Sequence, residues 1–344
     1  MKSVTIYDIA REANVSVATV SRVLNNSAPV KESTRRRIME IIERNRFQPN
    51  ALARSLLKKE TGTIAMILPD ITNPFFPEVF WGAENMGREL GYTFFLCDSA
   101  GDYKRESEYL GILRERRVDG IIFLGGRINV ANCPSDLVQE VVDLSVHTPV
   151  VLVNGQLAGS GLHRIFTDEA KGAEMVVRHL IELGHRDIAF LGGLEYMSTT
   201  RVKIRAVRKV LKEHGLELAP DRIKYGDFSI QAGKTLMDEL LASPRRPTAV
   251  ICVNDFTAVG AIKSASEHGL GIPDDISITG FDGTPLSEAV IPELTTVSQN
   301  AYELGKLAVE SLHKLINGGK VKKQTVLEPR LIVRKSTGPA KKVC

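Results

Sequence analysis

The segment "NVSVATVSRVLN", residues 14–25, combines small, hydroxyl-bearing and β-branched side chains with a single arginine. Val17 and Ala18 are small enough to let a helix approach another polymer closely and to contact base edges or thymine methyl groups. Arg22 can donate two hydrogen bonds to O6 and N7 of a guanine, the commonest sequence-specific pairing with DNA. These residue types indicate recognition of double-stranded DNA, although a solvated helix arginine is the simpler interpretation of Arg22 taken alone.

Short polar side chains flank these candidates for base contacts. Ser16, Thr19, Ser21 and Asn25 carry hydroxyl or amide groups suited to phosphate oxygens. Contacts to phosphates fix the register of a protein on the duplex and carry no sequence information. One helix is therefore expected to supply both kinds of contact.

Three short helices are predicted to position this segment. Thr5 can cap a helix over Ile6–Ala13, Ser16 can cap a second over Val17–Leu24, and a third is expected over Glu32–Asn45. Apolar residues at helical spacing predict one small core, made of Ile9, Ala10, Ala13, Val20, Val23, Leu24, Ile38, Ile41, Ile42 and Phe47. Only three residues separate the first two helices, which is typical of a helix-turn-helix.

The distribution of charge favours a polyanionic partner for this region. Residues 1–60 contain 12 Lys and Arg against 6 Asp and Glu, whereas the rest of the chain contains 33 against 35. The net charge of +4 therefore comes entirely from the first sixth of the chain. A solvated basic helix would give the same excess, so the charge supports DNA binding only together with the helix pattern.

A short apolar segment, "FQPNALARSLLKKETGT", follows the three helices. Asn50 can cap a helix over Ala51–Leu57, whose leucines exceed what two helical turns can bury alone. Because so short a helix is marginal in water, we expect it to form when it pairs with a second copy against DNA. A leucine such as Leu56 could then enter the minor groove and kink the duplex.

From residue 61 onward, short apolar strands alternate with amphipathic helices. Strands are predicted in "TIAMILP", "YTFFLCDS", "GIIFLGG", "VVLVN", "IFTD", "DIAFLGG", "AVICVN" and "ISITGFD", and helices over Pro77–Leu90, Arg105–Arg116 and Glu169–Leu183. Continuous apolar strands between helices are typical of parallel sheets covered on both faces. The length predicts two such α/β lobes that divide near residue 160.

Motifs for catalysis and for metal binding are missing from the sequence. Neither "FLGGRIN" nor "FLGGLEY" completes a dinucleotide-binding pattern, and no P-loop, HExxH or GxSxG motif occurs. The seven histidines are scattered, and the widely spaced Cys97, Cys133, Cys252 and Cys344 suit a reducing compartment. We expect no enzyme, no cofactor and no metal. Without an apolar span or a signal-peptide pattern, a cytoplasmic protein with no membrane attachment is expected.

Polar and aromatic residues directly follow several predicted strands. "PDITNPFF" follows the first strand, Asn154 the fourth, Asn254 and Asp255 a later one, and Asp282 the last. Ligands of doubly wound sheets bind at these carboxyl ends, so the segments predict a ligand cleft. Asp255, however, is expected to cap the following helix, and a turn residue is the alternative interpretation of Asp282.

The segments "TIYDIAREANVSVATVSRVLN" and "PNALARSLL" together resemble the headpiece and hinge of the LacI/GalR family of transcription regulators. The resemblance covers essentially the whole chain and implies a helix-turn-helix headpiece over residues 1–48 and a hinge helix with linker over 49–60. It further implies a two-lobed, periplasmic-binding-protein-like effector and dimerisation domain over 61–344. The N-lobe is expected at about 61–160 plus 292–322, and the C-lobe at about 161–291 plus 323–337.

Residue patterns and resemblance together give two sets of candidate contacts. The expected DNA contacts are Thr5, Tyr7, Ser16, Val17, Ala18, Thr19, Ser21, Arg22, Asn25, Asn50, Ala53 and Leu56. The expected effector contacts are Phe75, Phe76, Asn154, Thr199, Arg201, Lys203, Phe228, Asn254, Asp282 and Gln299. Aromatic rings among carboxyl and amide groups suit the two faces of a sugar.

Three residues depart from the family pattern. Lys31 stands where a serine often caps the third helix, and Asn154 stands where an aspartate is common. Lys203 begins "KIRAV" where family members commonly have Arg–Leu–x–Gly–Phe. Because arginine binds in a fork and lysine acts as a point charge, either the ligand differs or Arg201 supplies the guanidinium.

These observations predict a sequence-specific DNA-binding regulator, most simply a repressor, that is controlled by a sugar or sugar derivative. A homodimer on a palindromic operator is expected, since one headpiece makes too few contacts for tight specific binding. The alternatives are control by a protein partner or a non-sugar ligand, and an enzyme that carries a DNA-binding arm. Residues 335–344 show no heptad pattern, which argues against a tetramerising coiled coil.

Overall fold

The computed structural model describes residues 4–25, 28–45, 47 and 61–341. Contacts within the chain divide it into two compact units, residues 1–61 and 62–344. In the part of the chain that is described, no helix is long and apolar enough to cross a bilayer.

Several of the predictions above fall outside the described residues. They concern the hinge candidates Asn50, Ala53 and Leu56, the helix expected over Ala51–Leu57, and Cys344. Asn25 belongs to a described helix, but its side chain is also outside the description.

The first unit contains the three expected helices, α1 (Ile6–Glu12), α2 (Val17–Asn25) and α3 (Glu32–Arg44). Thr5 caps α1, because its hydroxyl accepts from the Asp8 amide while the Asp8 carboxylate accepts from the Thr5 amide. The Ser16 hydroxyl accepts from the Thr19 amide at 3.2 Å and begins α2. Lys31 precedes α3 without a side-chain cap. The three predicted helices are confirmed, each with an end that differs by one residue.

One small core holds these helices together. Ile9, Ala13, Val20 and Ile38 are fully buried, and Phe47 packs against the same cluster. All ten residues predicted for this core belong to it. Burial of each large aliphatic side chain contributes about 1.5–3 kcal/mol, which is what holds three short helices in place.

The second unit begins with an α/β lobe, the N-lobe, built on six parallel strands in the order β2-β1-β3-β4-β5-β11. The strands are β1 (Thr63–Leu68), β2 (Thr93–Asp98), β3 (Gly120–Leu124), β4 (Val150–Val153), β5 (His163–Thr167) and β11 (Gln324–Leu327). One face is covered by α4 (Phe75–Glu89) and α12 (Ala301–Ile316), and the other by α5 (Tyr103–Arg116) and α6 (Ser135–Ser145). A 3₁₀ turn, Gly126–Asn129, follows β3.

The C-lobe is built on four parallel strands in the order β7-β6-β8-β9. The strands are β6 (Ile188–Leu191), β7 (Ile223–Lys224), β8 (Ala249–Cys252) and β9 (Ser277–Thr279). One face is covered by α7 (Glu169–Glu182) and α8 (Ser198–Glu213), and the other by α9 (Ile230–Leu241) and α10 (Asp255–Glu267). A short α11 (Leu286–Ala289) and an antiparallel pair, β10 (Thr296–Ser298) with β12 (Arg330–Ile332), complete the lobe.

The continuous apolar strands of the sequence are explained by burial on both faces. In β1, Ile64, Met66 and Leu68 pack toward α4 and α12, whereas Ala65 and Ile67 pack toward α5 and α6. All eight predicted strand segments contain observed strands. The predicted α/β class with parallel sheets is therefore confirmed.

The predicted division of the chain into two lobes near residue 160 assigns three strands to the wrong lobe. The prediction places β5 and β11 in the C-lobe, but β11 pairs with β5 and β5 pairs with β4, so both strands belong to the N-lobe sheet. Strand β10 was expected in the N-lobe, but it pairs with β12, and its Val297 lies in the core under α7. The chain passes between the lobes at residues 167–169, 298–301 and 327–330. These crossings differ from the predicted division because strand pairing, and not loop composition, decides to which lobe each segment belongs.

Candidate nucleic-acid interface and ligand cavity

Helix α2 presents the two faces that the sequence predicts. Val20 and Val23 are buried against the other helices, while Ser16, Ala18 and Arg22 are exposed. Val17, Thr19 and Ser21 are half-buried at the edges of the exposed face. The Ser16 hydroxyl also hydrogen-bonds the Thr19 hydroxyl at 2.9 Å, so two of the expected phosphate-binding groups are oriented at the start of the helix.

Helix α1 contributes a neighbouring exposed group. Tyr7, in its first turn, is 67% exposed, which is unusual for an aromatic residue in a unit with so small a core. Thr5 precedes it and is exposed, although its hydroxyl also serves the cap. Exposed side chains near a small-residue helix face suit contacts to a polyanionic backbone.

A cavity of about 470 Å³ lies at the carboxyl ends of the strands, between the N-lobe and the C-lobe. Nine of the ten residues expected to contact an effector line it. They are Phe75, Phe76, Asn154, Thr199, Lys203, Phe228, Asn254, Asp282 and Gln299. The ends of predicted strands and the family pattern therefore located nine residues of this wall from the sequence.

Arg201 is the exception. Its side chain is exposed, and its Nε donates to the Glu195 carbonyl at 2.8 Å. It does not line the cavity. Arg201 is therefore not placed to supply a guanidinium in place of Lys203, because residues two apart on a helix face different directions.

A directed chain of hydrogen bonds crosses the floor of the cavity. The Thr167 amide donates to Asn154 Oδ1, Asn154 Nδ2 donates to Gln299 Oε1 at 2.9 Å, and Gln299 Nε2 donates to Asp282 Oδ1 at 2.6 Å. Asp282 is 8% exposed. Burial raises the pKa of the Asp282 carboxyl well above its usual value, although the nearby Lys203 ammonium acts in the opposite direction.

Asn254 has a structural role as well as a place in the wall. Its Oδ1 accepts from the Thr257 amide at 2.8 Å and caps α10, while its Nδ2 donates to the Phe228 carbonyl at 3.1 Å. The expectation that Asp255 caps this helix is wrong. Asp255 is instead buried and accepts from Thr284, because Asn254 occupies the extended residue that precedes the helix.

Aromatic rings supply the apolar part of the wall. Phe75 and Phe76, at the start of α4, meet edge to face with centroids 5.4 Å apart. Phe228 lines the cavity from the opposite lobe and also packs against the C-lobe core, so it has a structural role in addition to the one expected from the sequence. Together the rings suit the apolar face of a small polyhydroxylated molecule.

Lys203 lies at the back of the cavity, where it is almost fully buried. Its Nζ lies 3.0 Å from Glu169 Oε1 and 3.1 Å from Thr199 Oγ1. The ammonium also stands 4.0 Å from the centroid of the Phe281 ring. This lysine is thus held by the protein's own groups.

Seven polar wall residues were not named individually from the sequence: Asp70, Asn73, Asn129, Glu169, Tyr196, Asp227 and Ser229. Asp70 and Asn73 belong to the segment "PDITNPFF" that was expected at the cleft, and Glu169 follows β5, so the strand-end rule could have found all three. Asn129 and Tyr196 lie in connecting segments whose local sequence gives no such signal. Within the described residues, no cluster of three or more metal-binding side chains occurs.

Comparison with known proteins identifies the family. A family model described as bacterial regulatory proteins of the lacI family matches residues 5–50, and a periplasmic binding protein-like domain matches residues 177–337. Catabolite control protein A of Priestia megaterium is 38% identical over 337 residues, which are 97% of this chain and 99% of that protein. The chain belongs to the LacI family.

Two solved structures of transcription regulators match nearly the full length of the chain. The lac repressor dimer bound to operator and an anti-inducer superposes with a TM-score of 0.86 at 26% identity, covering 98% of this chain and 100% of that one. The regulator CelR in complex with cellobiose superposes with a TM-score of 0.72 at 25% identity, covering 97% and 99%. Membership of the LacI family makes this protein a transcription regulator and confirms that it is not an enzyme.

Proposed function

We propose that this LacI-family regulator is a repressor that binds a near-palindromic operator as a homodimer and is controlled by a small sugar-like effector in the cavity. The observation that carries the DNA-binding part is helix α2. It exposes Ala18 and Arg22 on one face and buries Val20 and Val23 on the other. A helix of this kind fits a major groove closely and reaches one guanine with a bidentate arginine.

The proposed operator follows from two-fold symmetry. Two copies of α2 would contact two half-sites about one helical turn apart, which predicts a site of about 14–18 base pairs. The central step should be a pyrimidine–purine step, CpG, because such steps unstack easily and would admit Leu56 from each copy. As a DNA-binding regulator, the protein would act in the cytoplasm.

The proposed effector site is the cavity between the lobes. Its volume, its aromatic rings and its chain of amide and carboxyl groups match the needs of a monosaccharide or disaccharide. The complex of the regulator CelR with cellobiose, which shares this fold, supports a sugar as the ligand. A screen for a rise in melting temperature with sugars would identify it, since a ligand selective for the folded state must stabilise it.

Arg22→Ala tests the DNA-binding proposal. We expect the variant to lose preference for one guanine per half-site, at a cost of about 1–3 kcal/mol per contact, while other positions keep their preference. The measurement is selection of operators from a random DNA library by wild type and variant at one fixed salt concentration. Arg44→Ala is the matched control, because it removes the same charge from a side chain that pairs with Glu12 on α1.

A uniform loss of affinity for all sequences in Arg22→Ala would contradict the assignment. It would make Arg22 a phosphate contact, because contacts to the backbone weaken every sequence alike. A changed base preference in Arg44→Ala would equally argue that the recognition surface lies elsewhere on the unit.

A further inference from the structure

The Lys203 ammonium is surrounded by groups of the protein: it donates hydrogen bonds to Thr199 and to the Val253 carbonyl and forms an ion pair with Glu169. It carries three N–H donors, and three acceptors of the protein surround it, at 3.0 Å (Glu169 Oε1), 3.1 Å (Thr199 Oγ1) and 3.3 Å (the Val253 carbonyl). The side chain is only 5% exposed, and the Phe281 ring lies against the ammonium. Lys203 is therefore bound by side-chain and backbone groups of the protein within the cavity wall.

A guanidinium at this position would behave differently. Arginine has five donors in a planar fork, so some would remain for a ligand after Glu169 was satisfied. To bind a ligand anion, Lys203 would have to leave Glu169, whose side chain is only 18% exposed. Leaving a largely buried carboxylate without its partner is unfavourable.

The rest of the wall is acidic. Four carboxyl groups line the cavity, those of Asp70, Glu169, Asp227 and Asp282. Lys203 offsets the charge of Glu169 and burial favours the neutral form of Asp282, so Asp70 and Asp227 supply the negative charge of the wall. Within the part of the chain that the structure describes, Lys203 is the one cationic side chain in this wall. Like charges placed against one another in a site of low dielectric select strongly against the wrong ligand.

Polar side chains lie at the starts of three helices that border the cavity. The Phe75 amide of α4 donates to Asn73, and the Thr257 amide of α10 donates to Asn254, so one amide of each helix is already bonded. Helix α8 has no side-chain cap, but its Thr199 hydroxyl donates to the Glu169 carboxylate. The negative charge of Glu169 beside this helix start disfavours a phosphate there.

We infer that the Glu169–Lys203 pair sets the charge selectivity of the cavity, which accepts an uncharged, hydroxyl-rich ligand and rejects phosphorylated or carboxylated sugars. This inference rests on the proposed function of the cavity as an effector site. It makes Lys203 a positioning residue that holds Glu169 and neutralises it, and it explains how lysine can stand where the family commonly has arginine.

The first test compares matched sugars on the full-length protein. Pairs that differ only by one anionic group, glucose with glucose 6-phosphate, ribose with ribose 5-phosphate and galactose with galacturonate, are titrated by calorimetry at constant ionic strength. At least one neutral sugar should bind, and its anionic counterpart should bind at least about tenfold more weakly. An anionic sugar that binds as tightly as its neutral counterpart, or more tightly, would overturn the inference.

Two variants test the roles of the pair directly. Glu169→Gln frees the ammonium, so the ratio of neutral to anionic affinity should fall at least about tenfold. Lys203→Gln removes the ammonium, and rejection of anionic sugars should persist. Loss of anion binding in Lys203→Gln would show that the lysine holds anions, and an unchanged ratio in Glu169→Gln would show that the pair sets no selectivity.

Glu174→Gln is the matched control. Glu174 also lies on α7 and pairs with Lys209 on α8 at 2.7 Å, so it joins the same two helices outside the cavity. The control variant should keep the wild-type ratio of neutral to anionic affinity. A change in that ratio as large as the one in Glu169→Gln would overturn the inference. If no member of any pair binds the wild type, the proposed sugar site fails and the inference with it, whereas a preference for anions overturns the inference alone.

Discussion

At the scale of single residues, Asp282 combines an uncommon backbone φ angle with a buried position for its carboxyl group. Its φ of 114° lies in a region that side chains other than glycine rarely adopt, and residues so held occur often at functional sites. Its amide donates to Val297 and its carbonyl accepts from Gln299, so the neighbouring strand holds the conformation in place. The carboxyl is thereby fixed in the cavity wall at the end of the hydrogen-bonded chain.

Asp282→Asn should change how the stability of the protein depends on pH. Burial raises the pKa of Asp282 in the folded chain, so between the unfolded and folded pKa values the folded state binds more protons. The free energy of unfolding therefore falls as pH rises through that interval. The variant keeps the Oδ1 that accepts from Gln299 but cannot ionise, so it should escape this loss.

Urea unfolding at several pH values from about 4 to 8 measures this effect. The quantity to follow is the free energy of unfolding of the wild type minus that of the variant, which reports the ionisation of Asp282 together with its effect on nearby Asp255. The wild type should become the less stable of the two as pH rises. Parallel stability curves would contradict an Asp282 pKa raised by burial.

At the scale of elements, two glycines allow α4 and α12 to cross closely. A Cβ at Gly82 would lie 1.9 Å from the Tyr302 carbonyl oxygen, and one at Gly305 would lie 1.8 Å from the Val79 carbonyl oxygen. Both clashes are with backbone, so no side-chain movement could relieve them. Since α4 begins with Phe75 and α12 follows Gln299, this crossing helps to position parts of the cavity wall.

Gly305→Ala should destabilise the protein by about 1–3 kcal/mol or more, because the added methyl group forces two packed helices apart. Gly111→Ala is the matched control, since Gly111 lies inside α5 with no atom within 4 Å of a Cβ. There the replacement should stabilise by about 0.4–1 kcal/mol through the lower entropy of the unfolded chain. Thermal unfolding of both variants tests the argument, which fails if Gly305→Ala is as stable as the wild type.

At the scale of the whole molecule, the cavity is shared by two lobes that the chain joins at three crossings. Gln299 lies in one crossing and bonds Asn154 of the N-lobe and Asp282 of the C-lobe. A ligand that contacts both walls favours one spacing of the lobes over others. It can shift the DNA-binding equilibrium only by its difference in affinity for the two states, typically about 1–3 kcal/mol.

Asp282→Ala should therefore separate the response to the effector from binding to the operator. We expect the response to the effector to be lost, while operator affinity without ligand stays within about threefold of the wild type. Operator binding with and without the sugar identified by the thermal screen is the measurement. Loss of operator binding in a folded variant would make Asp282 structural, and a normal response would place the effector site elsewhere.

The amino-acid sequence determined those features that depend on neighbouring residues. Thr5 and Ser16 cap their helices by accepting hydrogen bonds from backbone amides three residues later in the chain. The spacing of the apolar residues in α1, α2 and α3 fixes which faces of these helices pack together. Eight strands of the lobes also follow from local sequence, since they lie in the short apolar segments predicted from it. The exposed face of α2, with Ala18 and Arg22, follows from the same periodicity.

Tertiary structure decided the features that depend on partners distant in the chain. The lobes to which β10 and β11 belong are set by strand pairing across 32 to 36 residues, for β10 with β12, and across 160 residues, for β11 with β5. No local pattern encodes such pairing. Lys203 has the appearance of a ligand-binding cation in the sequence. Only its position beside Glu169, Thr199 and Val253 shows that its donors are used, because a buried charge takes the partners that folding brings to it.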